Sequence, residues 1–553
     1  MIDLDLPAGK RTRLYRFFEI LPGAASYAMI ILLIVLSIVS PLAAAVYLLL
    51  VILTLFVRSI GIAFHTMRGH RYLVNAKRVD WRQRLNDLET PVESNERVRN
   101  ADSSGFGYRT HQENLRLIAA DTSHYPKPSE LYHLVIIAAY NEAYDVLQPT
   151  IESVRQTTTD NKQLIVCLAF EERGGQGIAQ TAKRLQQEYA DTFFAFTAIK
   201  HPDGLADEII GKGPNITYAA TQLEAWFDAR QIEYKNVIVT TLDADNRPHA
   251  SYFDYVAYEY IVQPDRKHLS YQPIALYFGN IWDAPAPMRV IATGNSFWTI
   301  ISSMRPHALR NFAAHSQPLD ALSEMGYWSK LSIVEDGHQY WRSYFHFRGN
   351  YGVIPIHVPV YQDAVMANTL KQTLIAQFKQ LRRWGYGVSD IPYVATRIFT
   401  KRRNVPFIEG FARFVRLFDS HVTLAVMPLL VTFGGWVPLL INPDASRNIA
   451  AHALPEVISQ IQRVATIGLF ITIFLMLKML PPRPARYKKR RTFGMVLQWL
   501  LMPLTSIGYG ASAAFNAQTH LMLGKYLDKF DVTDKATLAS RERAKAKSRK
   551  RSS

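Results

Sequence analysis

Between Gly23 and Val57 the chain runs GAASYAMIILLIVLSIVSPLAAAVYLLLVILTLFV, without one charged side chain. A helix needs about 20 apolar residues to cross the hydrocarbon core, so this run is too long for one crossing and suits two. Ser40-Pro41 breaks it, because proline interrupts a helix. The expectation is a tight transmembrane hairpin. Lys10, Arg11, Arg13 and Arg16 precede it and Arg58, Arg68 and Arg71 follow it. Excess Lys and Arg marks cytoplasmic loops, which places both ends in the cytoplasm. A cleaved signal peptide fits less well, since no small-residue cleavage pattern precedes a polar start.

The 553-residue chain carries a net charge of +17, concentrated in KRTRLYR near the start, RPARYKKRR at 483–491 and RERAKAKSRKR at the end. These clusters flank apolar segments, which fits contact with anionic lipid head groups better than a nucleic-acid groove. Cys167 is the only cysteine, so neither an intramolecular disulfide nor a cysteine-based zinc site is available. A second hairpin is expected from Leu417–Ile441 and from a run between about Val457 and Leu480, before RPARYKKRR. Pro503, Gly508 and Gly510 interrupt the apolar segment Phe493–Leu523, and a full crossing would export the basic tail. It is therefore expected as a broken helix at the cytoplasmic interface.

Residues 70–130 are polar and aperiodic and read as a connector with some helix. From His133 apolar strand-like runs alternate with helical patterns, which implies a largely parallel sheet covered on both faces and a nucleotide-binding α/β domain. The Gly174-Gly175-x-Gly177 cluster lacks the full dinucleotide spacing.

Within that domain NVIVTTLDADN ends a buried strand in Asp243-Ala244-Asp245. At the carboxyl end of a parallel strand such a pair can hold a divalent cation whose remaining positions take phosphate oxygens; it can equally be a solvated turn. KLSIVED ends in Glu335-Asp336, a second acidic pair or a helix cap. QFKQLRRW is basic and aromatic at helical spacing and would also suit an interfacial helix. His338 and His346 follow no HExxH pattern, and satisfied histidines are expected there.

Taken in order, AAYNE (Ala138–Glu142), DAD (Asp243–Asp245), VED (Val334–Asp336), QLRRW (Gln380–Trp384) and FDVTDK (Phe530–Lys535), with hairpins on both sides, resemble membrane-integrated family 2 glycosyltransferases. That family includes cellulose and hyaluronan synthases, and the resemblance spans roughly residues 20–535. It implies an α/β GT-A domain, Rossmann-like with a mostly parallel sheet, inserted between transmembrane hairpins. It implies inverting transfer from a nucleotide-sugar donor to a polysaccharide acceptor, with QLRRW favouring processive synthesis. Asp336 is the implied general base. Asp243 and Asp245 face the diphosphate with Mg²⁺ or Mn²⁺. Tyr140, Asn141, Glu142 and Lys212 lie by the nucleotide, as do Glu171 and Glu172, which replace the Asp-Asp of many relatives. Glu335, Gln380, Arg383 and Trp384 serve the acceptor or diphosphate. Phe530, Thr533 and Lys535 resemble a gating loop.

The implied layout is a hairpin segment at 1–69, a connector at 70–130, the GT-A domain at 131–365 and interfacial helices at 366–416. The second hairpin follows at 417–480, an interfacial or re-entrant helix at 481–526, and the FDVTDK segment with the basic tail at 527–553. The location is the plasma membrane, with the catalytic domain and both termini cytoplasmic. Four spans are few for one chain to enclose a sugar path. Either copies or an export partner cooperate, or one sugar passes to a lipid-linked acceptor. Two other classes remain: a non-catalytic membrane scaffold, and a nucleotidyl or phosphoryl transferase. No nucleic-acid partner is expected.

Overall fold

The computed structural model describes residues 11–100, 104–401 and 403–527. Among the described residues four helices are long and apolar enough to cross a membrane: Arg13–Val39, Pro41–Ala76, Phe407–Ile441 and Ile449–Met479. The break between the first two lies at Ser40, whose backbone is extended and whose hydroxyl accepts the N–H of Ala43 at 3.3 Å, with Pro41 opening the next helix. Small residues allow close helix packing here. Ala44 and Ala45 are buried beside Leu33, Leu48, Val422 and Ala425. The helix Pro41–Ala76 continues beyond the apolar run and docks on the helix Ala286–Ser303 at Gly69. A Cβ on Gly69 would stand 2.5 Å from Ile300 Cγ2 and 2.9 Å from the Ile300 carbonyl oxygen.

Among the described residues eight strands form one sheet: β1 Tyr132–Ala139, β2 Leu164–Glu171, β3 Ala195–His201, β4 Val237–Asp243, β5 Arg247–Pro248, β6 Leu269–Leu276, β7 Ser316–Pro318 and β8 Gly352–Tyr361. Their spatial order is β3-β2-β1-β4-β7-β6-β8-β5. The first four are parallel. Beyond them β7 runs antiparallel to both β4 and β6, and β5 antiparallel to β8. The sheet is therefore mixed, with a parallel half matching the expected layout and a second half that reverses direction at the three-residue β7. So short a strand carries too little periodicity to read from sequence.

The continuous apolar runs of β1 and β2 follow from burial on both faces. Side chains alternate across a strand, so Val135, Ile137, Val166 and Leu168 enter one core. Leu134, Ile136, Ile165 and Cys167 enter the other, against Ile216, Ala220 and Leu223 of the helix Lys212–Asp228. Burial pushes the Cys167 thiol up to about 12, so this cysteine is an inert core residue.

The connector is more ordered than its composition suggests. Helices Trp81–Glu89, Pro91–Asn100 and Tyr108–Ala120 occupy most of it. Trp81, Leu85 and Leu88 recur at helical spacing and are buried in the domain core. The Trp81 ring stacks on Tyr255 at 3.5 Å, and the fully buried Asp87–His111 pair closes at 3.1 Å. After the last long helix the chain is broken as expected, into Arg490–Leu497, short turns, a π-helical turn Ser506–Ala511 that holds Gly508 and Gly510, and Ser512–Met522. Arg16 fixes the end of that helix, donating to the Leu521 carbonyl at 2.8 Å while paired with Glu19.

Candidate active site

Strand order reverses between β1 and β4: the chain winds outward through β2 and β3, then returns to the other side of β1. Open α/β sheets bind ligands outside the carboxyl ends of the strands at such a point. A cleft of about 520 Å³ lies there. It is lined by the ends of β1 and β4, by the helix Glu335–His346 and by the helix Leu370–Gly385. Asp243 closes β4, and Asp245 follows it, nearly buried. The intervening backbone is pinned by Thr150, whose hydroxyl donates to the Ala244 carbonyl at 2.7 Å.

Lys212 draws the acidic groups together. Its Nζ lies 3.0 Å from Asp243 Oδ1, 3.1 Å from Asp336 Oδ1 and 3.6 Å from Glu335 Oε1. The lysine opens the helix Lys212–Asp228 and is buried. Gly213 permits the approach, since a Cβ there would stand 2.3 Å from the Ser329 carbonyl oxygen and 3.2 Å from Glu335 Cβ. Burial alone would lower the ammonium's pKa, but Asp243, Asp336 and Glu335 outweigh it and hold the pKa above the usual lysine range. Glu335 behaves oppositely: burial and the adjacent Asp336 hold it above the carboxylic-acid range in spite of Lys212. Both acids occupy the first turn of their helix, with Val334 in the capping position, so neither is the cap.

Just past the end of β1, the Tyr140 N–H donates to Glu142 Oε2 at 2.7 Å. The Arg173 guanidinium lies 4.1 Å over the Tyr140 ring and pairs with Glu171. Glu171 is held above the carboxylic-acid range by burial, which outweighs Arg173. The glycine cluster has a packing reason: a Cβ on Gly174 would lie 1.8 Å from the Tyr140 carbonyl oxygen. Glu172 turns away to pair with Lys200 at 2.6 Å, and neither it nor the exposed Asn141 lines the cleft. Glu171 is the last residue of β2, whereas Glu172 opens a 3₁₀ turn that carries its side chain away. Gln380, Arg383 and Trp384 line the cleft from the helix Leu370–Gly385, which starts in a capping box of Thr369 and Gln372. Phe530, Thr533 and Lys535 lie outside the described residues. Leu527, the last described residue, donates its N–H to the Tyr386 hydroxyl at 3.3 Å.

Several residues in or directly behind the cleft carry little sequence signal. His315 is fully buried, with Nδ1 3.9 Å from Asp336 Oδ1; burial lowers its pKa, leaving a neutral ring that donates from Nδ1 to the Phe312 carbonyl. Burial raises the Tyr277 phenol, and Asp243, Asp245 and Asp336 raise it further; its ring lies 5.9 Å from that of Trp384. Asn215 donates to the Ala169 carbonyl at 2.9 Å, tying the helix start to the end of β2. Asp363 was legible in principle, as an acid just past a strand end, here β8. Its N–H donates to Asp245 Oδ2 at 3.3 Å. His338 and His346 are satisfied by carboxylates, Asp390 at 2.7 Å and Glu324 at 2.9 Å.

Among the described residues no group of three or more His, Cys, Asp or Glu side chains is arranged to hold a metal ion. Asp243 and Asp245 nevertheless give two hard carboxylates on one cleft. That donor set fits a divalent cation completed by phosphate oxygens and water, as Mg²⁺ sites commonly are.

No family model matches the chain, and no curated protein matches it. Among solved structures it is similar to a mannosyltransferase from Pyrobaculum calidifontis in complex with GDP-Man and Mn²⁺. Identity is 12%, coverage 82% of this chain and 99% of that one, and the TM-score 0.36. It is similar also to residues 1–349 of S. aureus TarS in complex with UDP, with 10% identity, coverage of 73% and 95%, and a TM-score of 0.32. At this distance neither match carries a statement about activity.

Proposed function

We propose that the chain is an inverting glycosyltransferase of the membrane surface, moving a sugar from a nucleoside-diphosphate sugar to an acceptor hydroxyl of a glycan or lipid-linked sugar. The carrying observation is the convergence of Asp243, Asp336 and Lys212 on one cleft from β4 and two helix N-termini. Asp336 takes the proton from the acceptor hydroxyl as its oxygen attacks the anomeric carbon. The bond from that carbon to the diphosphate oxygen breaks, and its electron pair leaves with the nucleoside diphosphate. Glu335, held protonated, does not compete as a base. Lys212 and Arg383 offset the charge that develops on the departing diphosphate. Mg²⁺ or Mn²⁺ bound through Asp243 and Asp245 would supply Lewis-acid neutralisation of the same group. Tyr140, Glu142 and Glu171 receive the nucleoside, and Trp384 offers a flat face to a sugar ring.

The surface supports a cytoplasmic, membrane-facing placement. Phe493, Leu497, Leu500 and Leu504 are exposed on one side of the broken C-terminal segment, whereas Met495 and Trp499 are buried, and Lys488 to Arg491 stand at its start. An apolar stripe beside a basic cluster is how a helix lies in the interface. The test is a panel of nucleotide sugars with Mg²⁺ or Mn²⁺, read by nucleoside diphosphate release into labelled product. Release by the parent chain and its loss in Asp336→Asn is expected. Identical behaviour of the two proteins with every donor would leave a scaffold as the better reading.

A further inference from the structure

The cleft extends well past the carboxylates. Its wall continues through Phe312 and Arg310 to Ser420, His421 and Leu424 of the helix Phe407–Phe433, one of the four long apolar helices. At its rim Leu424 is 47% exposed and Trp298 is 48% exposed. Trp298 belongs to the helix Ala286–Ser303, on which the membrane helix Pro41–Ala76 docks at Gly69. The opening is thus lateral, beside the long apolar helix Phe407–Phe433 that lines it directly.

Arg310 stands inside this extension. Among the described residues its guanidinium makes no hydrogen bond and no ion pair; the Trp341 ring lies 5.9 Å from the guanidinium carbon, and the charge of Asp390 is felt only at longer range. The nearby Asp390 is engaged by His338 Nδ1 at 2.7 Å. Burial disfavours a charge at this position and lowers the guanidinium's pKa, yet the cation faces the cavity. Arginine pairs bidentately with phosphate and is its best side-chain partner. Five residues along the chain from Arg310, His315 lies against Asp336, so the Cα atoms of Arg310 and His315 are at most about 18 Å apart, at about 3.6 Å per residue. The reach of the arginine side chain shortens the gap that a sugar and its phosphate have to bridge.

Resting on the transfer reading above, we propose that the acceptor is a sugar carried on a membrane lipid through a phosphate ester. It enters by the lateral opening, seats its phosphate on Arg310 and presents its hydroxyl to Asp336. The lipid chain leaves past Leu424. The reaction balances as before: the hydroxyl proton goes to Asp336, the new glycosidic bond forms at the anomeric carbon, and the nucleoside diphosphate departs. Arg310 is a positioning residue that touches the acceptor's phosphate and not the reacting atoms.

The experiment uses the full chain in lipid nanodiscs and measures binding of farnesyl-phosphoryl glucose, of the neutral farnesyl glucoside and of inorganic phosphate. UDP and GDP binding and diphosphate release are measured in parallel. The phosphoryl lipid should bind about ten- to a hundredfold tighter than the neutral one, the range of one charge-assisted pair. Arg310→Gln should abolish that difference, Arg310→Lys should restore part of it, and nucleotide binding should stay unchanged in both. Equal binding of the two lipids, or a difference that survives Arg310→Gln, overturns the proposal. Inorganic phosphate binding as tightly as the phosphoryl lipid overturns the lipid part and leaves a free-phosphate site. Should Arg310→Gln fail to fold, the parent's preference between the two lipids and its partial retention in Arg310→Lys decide the matter. Arg310-dependent lipid binding with no diphosphate released from any donor would instead sink the transfer reading while the phosphate seat stood.

Discussion

Lys212 Nζ lies 3.1 Å from Asp336 Oδ1, although 124 residues separate the two in the chain. The pair joins the start of one helix to the start of another, beside the carboxyl end of β4. It sets the site's electrostatics: a single buried ammonium draws Asp243 and Asp336 into one cleft.

Removing either member should have different consequences. Asp336→Asn leaves Lys212 paired with Asp243, so the fold and nucleotide binding persist while transfer falls by about 10²–10⁴-fold. Lys212→Gln leaves buried carboxylates without their cation and should cost about 3–5 kcal/mol of stability. Thermal unfolding of the two variants beside nucleotide titration separates these effects; a larger stability loss in Asp336→Asn than in Lys212→Gln would contradict the assignment.

Gly213 is held to glycine by space and not by backbone angle. The Ser329 carbonyl and the Glu335 side chain leave no room for a methyl group. Gly213→Ala should push the helix start off the segment ahead of Glu335, costing about 1–3 kcal/mol and withdrawing Lys212 from Asp336. A variant with the parent's melting temperature and turnover would show that the helix start shifts freely.

Glu259 provides a pH signature away from the site. Burial pushes its carboxyl up to about 7 against an ordinary value of 4.5. Between those two values the folded state holds a proton that the unfolded state has lost, so stability is complete below the lower value and declines as pH rises through the upper one. The decline amounts to at most about 3 kcal/mol. Glu259→Gln should remove it, so that the variant melts above the parent at pH 8 and close to it at pH 4. Parallel melting profiles in the two proteins would exclude burial of a protonated Glu259.

Chelation should stop diphosphate release, and Mg²⁺ or Mn²⁺ should restore it. Asp245→Asn should raise the metal concentration needed for half-maximal rate, because it halves the protein's carboxylate contribution. Full turnover in excess EDTA would place the whole burden of charge neutralisation on Lys212 and Arg383.

The long apolar helices, the strand–helix alternation and the DAD strand end were legible because each rests on local physics: an uncharged run longer than one span, a period of two or 3.6, and acids that stop an apolar strand. Tyr140, Lys212, Asp243, Asp336, Arg383 and Trp384 sit together on the cleft. Glu172 lies off the cleft because β2 ends at Glu171 and the chain turns at the next residue, a boundary the sequence does not mark to within one position. The connector was legible only as a segment with some helix, because the helix Trp81–Glu89 buries Trp81, Leu85 and Leu88 together with Arg84 and Asp87 and looks polar on average. The antiparallel turn through β7, the neutral His315 beside Asp336 and the unpaired Arg310 could come only from the tertiary structure. Each depends on which distant segments pack together, and solvent exclusion and charge proximity exist only after that packing.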